Sequence, residues 1–457
     1  MRLTILGGGG FRVPLVYGAL LGEGSGDDRS GSGVGGDRGG SSRITHVTLH
    51  DPDAARLSAI ASVLAEQASG VPDAPAVTVS TDPGAALRGA DFVFSAIRVG
   101  GLEGRAVDER VALAEGVLGQ ETAGAGGIAY GLRTVPVATD YARRIAALAP
   151  DAWVINFTNP AGLVTEAMSR LLGDRVIGIC DSPAGLGRRV ARAAGADPEE
   201  AWFDYVGLNH LGWLRGLRVA GRDLLPRLLA DSEALGSFEE GRLFGADWLR
   251  SLGAVPNEYL HYYYFNRETV RAYRSAARTR GAFLLDQQAA FYAAPSLKSW
   301  QATRSEREAT YMAGSREVAG AGERAADDLG SGGYEQVALA LMRAIARDER
   351  ATLILNVRNR GALSELDADA VIEVPCLVDA NGAHPYAVDP LPPHAAGLVT
   401  TVKSVEREVL TAAAGGSRAA AVRAFALHPL VDSVAVARRL VDGYTRQHPG
   451  LAYLNRK

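Results

Sequence analysis

The chain has 457 residues, of which 47% are apolar and 22% charged, and its formal net charge is -4. Such a composition suits a globular enzyme with a sizeable core and excludes disordered or fibrous classes. The 48 basic residues are scattered, so no basic face is expected for nucleic acid or an anionic membrane.

Residues 3–6 read as a short apolar strand that runs straight into Gly7, Gly8, Gly9 and Gly10. The N-terminus has no charged region followed by a long apolar stretch, and no run of about 18 apolar residues occurs anywhere. Two cysteines, Cys180 and Cys376, are too few for a disulfide framework and fit a reducing compartment. The expectation is a cytoplasmic protein.

A helix pattern begins near Val13, and residues 22–42 then form a Gly, Ser, Asp and Arg stretch read as a disordered surface insertion. Strand character returns at 44–49 and stops at Asp51-Pro52-Asp53, before a helix over 55–68 and a strand at 77–80. Apolar runs at 91–97, 153–157 and 176–179 read as buried parallel strands. Alternating strands and helices imply βαβ units and a Rossmann-type parallel sheet over 1–200, of the lactate and malate dehydrogenase kind. Beyond residue 200 helical stretches dominate, at 284–293, 303–327 and 334–347. Short strands occupy 352–390, and a helical, Ala-rich end follows. Residues 201–457 therefore read as an α+β, largely helical domain for substrate and metal.

Strand, glycine cluster and helix together place a pyrophosphate at a helix N-terminus, where free amides meet anionic oxygens. The four glycines lack the full G-x-G-x-x-G spacing, since position 12 is arginine, so a plain flexible turn is the competing reading. Asp51 ends the second strand 44 residues past Gly7, or 23 once the 21 residues of 22–42 are set aside. A carboxylate about 20 residues on bonds the ribose 2′-hydroxyl and repels a 2′-phosphate, which favours NAD over NADP. Its alternative is an N-cap for the following helix.

Cys180 follows a buried strand, where open parallel sheets collect ligands, and His210 follows a short strand near 204–207. A thiolate and an imidazole could share one divalent metal, with substrate and water completing the shell. A structural cysteine and a core histidine stand equally open. Tyr259 heads Tyr259-Leu260-His261-Tyr262-Tyr263-Tyr264, a cluster that reads as packing or as a base whose phenolate nearby cations favour.

The chain resembles the NAD- and divalent-metal-dependent glycosidases of glycoside hydrolase family 4, most nearly the 6-phospho-β-glucosidases. The resemblance spans nearly the whole chain. It rests on GGGG (7–10), FSAIRVGG (94–101), GQET (119–122), WVINFTNPAG (153–162), ICDSPAG (179–185), GLNHLGW (207–213), YLHYYY (259–264), NVRNRGAL (356–363) and EVPCLVD (373–379). Such enzymes, unlike two-carboxylate glycosidases, use NAD. The resemblance implies oxidation at C3 of the sugar, removal of the C2 proton, elimination at C1, water addition and return of the hydride.

The same resemblance implies roles residue by residue. Cys180 and His210 match the metal ligands, with Mn²⁺ as the family's metal. Tyr259 matches the base, and Asp181 a residue assisting the leaving group. Arg98, Asn159 and Asn209 match sugar contacts. Arg280 matches a 6-phosphate contact, where a guanidinium fork suits a dianion. It further implies a phosphorylated disaccharide or aryl glycoside as substrate and a homodimer or homotetramer. Asp181 departs from the Asn typical of the β-enzymes toward the α pattern, and Gly10-Phe11-Arg12 replaces a hydroxyl-rich turn. Two other classes compete: a 2-hydroxyacid dehydrogenase, marked by net NADH formation, and a non-catalytic NAD-binding sensor.

Overall fold

The computed structural model describes residues 1–22, 43–325 and 333–455, so the insertion expected at 22–42 lies outside the described residues apart from Gly22. Six strands pair in parallel: β1 (Arg2–Leu6), β2 (His46–His50), β3 (Ala76–Ser80), β4 (Phe92–Ser95), β5 (Trp153–Asn156) and β6 (Val176–Gly178). Their spatial order is β3-β2-β1-β4-β5-β6, that of doubly wound dinucleotide-binding sheets. Order reverses between β1 and β4, and a crevice opens beyond the carboxyl ends of the strands. β4 is buried along its whole length, and β1 at every residue after Arg2. Helices cover both faces of such strands, which is why they read as continuous apolar runs.

The same sheet continues past β6 with antiparallel strands. These are β7 (Trp202–Leu208), β8 (Leu211–Val219), β9 (Arg222–Asp223), β10 (Val255–Pro256), β11 (Ala351–Arg358), β12 (Val371–Asp379) and β13 (Gly382–Pro385). The order runs β6-β11-β12-β7-β8-β10, with β9 beside β8 and β13 beside β12. The mixed architecture, a parallel N-terminal sheet with a largely helical C-terminal part, is the one the sequence implies.

One register row crosses both halves. Leu6 pairs with His50 and Ser95, Ser95 with Asn156, and Asn156 with Gly178. Gly178 pairs with Asn356, Asn356 with Glu373, Glu373 with Gly207, and Gly207 with Gly212. Gly7, Asp51, Cys180 and His210 each follow a row member by one to three residues. The row is therefore the floor on which the site stands.

Two helices, Gly101–Ala114 and Gly124–Leu148, fall where the apolar pattern is silent. Their buried faces carry charges paired in the interior, Arg105 with Glu109 and Arg133 with Asp108, and these interrupt the apolar period. The single helix expected over 303–327 is instead Leu297–Ala309 and Ala313–Ala319. Met312, at φ 55°, breaks it in the left-handed region, and residues 326–327 lie outside the described part. Among the described residues no helix is long and apolar enough to cross a membrane.

Candidate active site

A cavity of about 790 Å³ opens at the carboxyl ends of the parallel strands. Gly7, Gly10, Asp51, Arg98, Asn159, Cys180, Asp181, His210, Tyr259 and Arg280 all line it. Gly8 and Gly9 turn beneath it, with the Gly8 amide donating to the His50 carbonyl at 2.8 Å. Asn209 faces elsewhere: its amide donates to Glu373 at 3.1 Å.

Gly7 has φ 81°, and an added Cβ would lie 2.5 Å from the Ala96 carbonyl oxygen, so the turn under β4 requires glycine. The Gly7 amide donates to the His50 carbonyl of β2, that of Gly10 to the Gly7 carbonyl within the turn, and that of Gly9 to Asp51 Oδ2 at 3.3 Å. The amides of Phe11 and Arg12 make no hydrogen bond among the described residues and precede the helix Val13–Gly22. Free amides at a helix N-terminus fit an anionic group. Asp51 is not the cap of the next helix. Asp53 holds that place, accepting from Ala55 and Arg56, which leaves Asp51 on the cavity wall.

Cys180 Sγ lies 3.4 Å from His210 Nε2, both residues being buried. Ligand distances of about 2.3 Å for sulfur and 2.1 Å for nitrogen place two donors of one ion roughly 3.1–3.6 Å apart, between octahedral and tetrahedral angles. The pair therefore fits a shared divalent cation. Thr122 Oγ1 lies 2.7 Å from His210 Nδ1 and donates to Gln120 Oε1 at 3.1 Å. With its proton committed to Gln120, Thr122 accepts from Nδ1–H, and Nε2 keeps its lone pair toward the sulfur. Burial pushes His210 down to about 3, so the imidazole is neutral, as a metal ligand must be. Burial, Glu373 and Asp181 push the Cys180 thiol well up, so the thiolate form requires a cation. Among the described residues no group of three or more His, Cys, Asp and Glu is placed to hold a metal.

The Tyr259 ring stacks on His210 with centroids 3.6 Å apart. Its hydroxyl accepts from Tyr311 at 3.1 Å, and the Tyr311 hydroxyl also lies 3.1 Å from Glu258 Oε1. Burial and Glu258 push the Tyr259 phenol well up, so its phenolate also awaits a positive neighbour. Asp181 precedes the helix Ser182–Ala193 without a capping bond from its side chain, leaving the carboxylate turned to the cavity.

Arg98 pairs with Glu121, which also binds Arg105 at 2.7 Å. Burial alone would raise Glu121, yet Arg105 and Arg98 hold it well below the usual carboxylate range. Arg280 donates to Thr310 Oγ1 at 2.6 Å and to the Arg307 carbonyl at 2.9 Å. Burial and Arg105 lower Arg280 to about 10, and burial and Arg12 lower Arg307 to about 9. Glu308, whose carboxylate lies 3.9 Å from Arg307, acts in the opposite direction on both. Thr122, Glu121, Tyr311, Glu258, Arg307 and Glu373 are absent from the residues singled out in the sequence. The GQET run, the place of Glu258 beside Tyr259 and Glu373 at the head of EVPCLVD offered the signals.

A family model for the Family 4 glycosyl hydrolase matches residues 40–196, and one for the Family 4 glycosyl hydrolase C-terminal domain matches 205–431. A 6-phospho-beta-glucosidase of Escherichia coli is 32% identical over 80% of this chain and 81% of its own. A 6-phospho-beta glucosidase structure from Thermotoga maritima, with NAD and glucose-6-phosphate, aligns at TM-score 0.80 and 26% identity over 98% of both chains. A 6-phospho-alpha-glucosidase structure from gut microorganisms, with NAD and Mn²⁺, aligns at TM-score 0.78 and 26% identity, again over 98% of both. With both halves matched, and with Gly7, Cys180, His210 and Tyr259 on one cavity, this chain belongs to family 4 of the glycosyl hydrolases.

Proposed function

We propose that the protein hydrolyses 6-phosphoglycosides, with 6-phospho-β-glucosides as preferred substrates, using NAD and a divalent cation, Mn²⁺ first. The observation that carries this is the Cys180–His210 pair, 3.4 Å apart on a cavity that also holds Tyr259 and the glycine turn. When bound, NAD supplies reversible hydride transfer and the cation supplies Lewis-acid polarisation of sugar oxygens.

The chain's own residues do the rest. Residues 1–200 carry Gly7 to Gly10 and Asp51 for the dinucleotide, and 201–457 contribute His210, Tyr259 and Arg280. Cys180 and His210 hold the cation. Tyr259, as the phenolate that a neighbouring cation would favour, takes the proton from C2 and becomes the phenol, and Tyr311 orients its oxygen by the 3.1 Å hydrogen bond. Asp181 assists departure of the C1 group. Arg98 and Asn159 orient the sugar hydroxyls. Arg280, lowered by burial and Arg105, and Arg307, lowered by burial and Arg12, receive the 6-phosphate dianion. The protein reading as cytoplasmic, and as a homodimer or homotetramer, belongs to the same proposal.

A second reading, a 6-phospho-α-glucosidase, is favoured by Asp181 directly after the metal cysteine. One assay separates the two: nitrophenyl α- and β-6-phosphoglucosides, each with and without NAD, Mn²⁺ and EDTA. The expected result is nitrophenol release that needs NAD and Mn²⁺, stops with EDTA, is faster for the β substrate and forms no net NADH. Faster α cleavage selects the second reading. No cleavage of either, or net NADH, overturns both.

A further inference from the structure

Two sequence runs, 356–363 and 373–379, carry the family resemblance yet contribute nothing to the cavity wall described above. Their buried polar residues meet on the register row. Asn356 and Glu373 are cross-strand partners, 0% and 1% exposed, and Asn356 Nδ2 donates to Glu373 Oε1 at 2.8 Å. Asn356 is flanked on its other side by Gly178, two residues before Cys180. Glu373 is flanked by Gly207, three residues before His210. The strands that deliver the two metal-ligating residues are thus held apart by these two side chains and their backbones.

Three donors converge on the Glu373 carboxylate. Asn356 and Asn209 share Oε1, at 2.8 and 3.1 Å, and the Tyr205 hydroxyl reaches Oε2 at 3.1 Å. Asn209 immediately precedes His210, whose backbone sits at φ 63°, a conformation that costs free energy and must be fixed by its surroundings. The bond from Asn209 to Glu373 supplies that fixation on one side and Thr122 supplies it on the other. Tyr205 also accepts from Asn257 Nδ2 at 3.4 Å, and Asn257 Oδ1 accepts from the Tyr259 amide at 3.1 Å. The acceptor Glu373 is therefore linked to the loop of His210 and to the turn of Tyr259. Asn356 Oδ1 is a buried atom with no hydrogen-bond partner among the described residues. Its amide is held nitrogen-first because an oxygen against the carboxylate would be repelled, so the pair persists despite an unsatisfied acceptor. On the Gly178 flank the close fit leaves no slack: a Cβ there would meet Asn356 Cβ at 2.7 Å.

From this geometry we infer that Asn356 and Glu373 are positioning residues that set the separation of Cys180 and His210, and with it the affinity for the divalent cation. The inference rests on the metal-dependent reading above. Partners one shell away from a metal are commonly worth about 10- to 100-fold in affinity.

The test uses the full chain, with Mn²⁺ affinity read by electron paramagnetic resonance and NAD⁺ affinity by fluorescence titration. Glu373→Gln and Asn356→Leu are expected to weaken Mn²⁺ roughly 10- to 100-fold, to change NAD⁺ affinity less than threefold, and to recover kcat at saturating Mn²⁺. Should either variant fail to fold, Tyr205→Phe removes one hydroxyl from Glu373 and is read the same way. Mn²⁺ affinity within threefold of the parent overturns the inference, as does equal loss of Mn²⁺ and NAD⁺ affinity with a lowered Tm. If the parent itself binds no Mn²⁺, the metal-dependent reading falls. The crystal structure of Glu373→Gln then decides the inference separately: a retained 3.4 Å sulfur–nitrogen distance rejects it, and a separated pair supports it.

Discussion

The ring of Tyr259 lies flat on the imidazole of His210, the centroids 3.6 Å apart and the planes 2° from parallel. If His210 ligates the proposed cation, this stack delivers the Tyr259 hydroxyl to the cation's neighbourhood by ring packing. Packing and chemistry then separate cleanly by mutation. Tyr259→Phe keeps the stack and removes the hydroxyl. We expect kcat to fall about 10²- to 10⁴-fold, the usual worth of a general base, with Mn²⁺ affinity within threefold. Cys180→Ser should abolish most activity while leaving NAD⁺ binding intact. Steady-state hydrolysis of a nitrophenyl 6-phosphoglucoside, with NAD⁺ titration alongside, decides both. Full activity in either variant removes that residue's role.

Thr122 fixes which imidazole nitrogen faces the sulfur, through its 2.7 Å contact with Nδ1. Thr122→Val keeps the side-chain volume and deletes the acceptor. Mn²⁺ affinity should drop roughly 10- to 100-fold, and Thr122→Ser should restore most of it. An unchanged affinity in the valine variant rejects this orienting role.

Arg280 and Arg307 both line the cavity, and Arg280 donates to the Arg307 carbonyl, an arrangement that under the proposed function receives a doubly charged guest. Replacing either by methionine keeps a long apolar stem. A lost hydrogen bond to a charged group costs about 1.5–3 kcal/mol, so KM for the phosphorylated substrate should rise roughly 10- to 100-fold with a smaller change in kcat. A fall in kcat at constant KM would assign these residues elsewhere.

Asp51 bonds the Gly9 amide and lines the cavity without capping a helix. Asp51→Ala should weaken NAD⁺ about tenfold and narrow its advantage over NADP⁺, because the carboxylate both bonds a 2′-hydroxyl and repels a 2′-phosphate. Titration with both dinucleotides measures this, and an unaltered preference sinks it.

Stability in acid should depend on His428, far in sequence from the site. The residue is buried, accepts from the Leu430 amide at Nδ1 across 3.1 Å, and is pushed down to about 3 by burial. Its folded pKa is depressed, so the unfolded chain takes up the proton first. The stabilisation is fully present above about 6.5 and is lost as pH falls toward 3, at roughly 1.4 kcal/mol per pH unit. His428→Gln should flatten the urea midpoint between pH 6.5 and 4. Parallel profiles for parent and variant would exclude the assignment.

Much of the cofactor half was legible in the chain because its signals are local. A strand meeting glycines, a carboxylate ending the next strand and a cysteine ending a buried one are all written within a few consecutive residues. The family motifs likewise named Cys180, His210 and Tyr259. Three features were beyond local pattern. The helices at 101–148 bury paired charges, so their apolar period is masked. The break at Met312 depends on a left-handed residue with no glycine to announce it. Asp51 and Asp53 both stood where a cap belongs, and only their hydrogen bonds distinguish them.

What the sequence determined alone was the inventory: the family, a glycine turn between strand and helix, and the residue types able to grip a cation. What the tertiary structure decided was which distant residues serve them. His210 meets Thr122 across 88 positions, Tyr259 meets Tyr311 across 52, and Asn209 turns from the cavity to Glu373 across 164. The physical reason is that such contacts are set by strand register and helix packing between segments far apart in the chain. A one-residue shift of β11 or β12 would send Asn356 or Glu373 to the opposite face of the sheet.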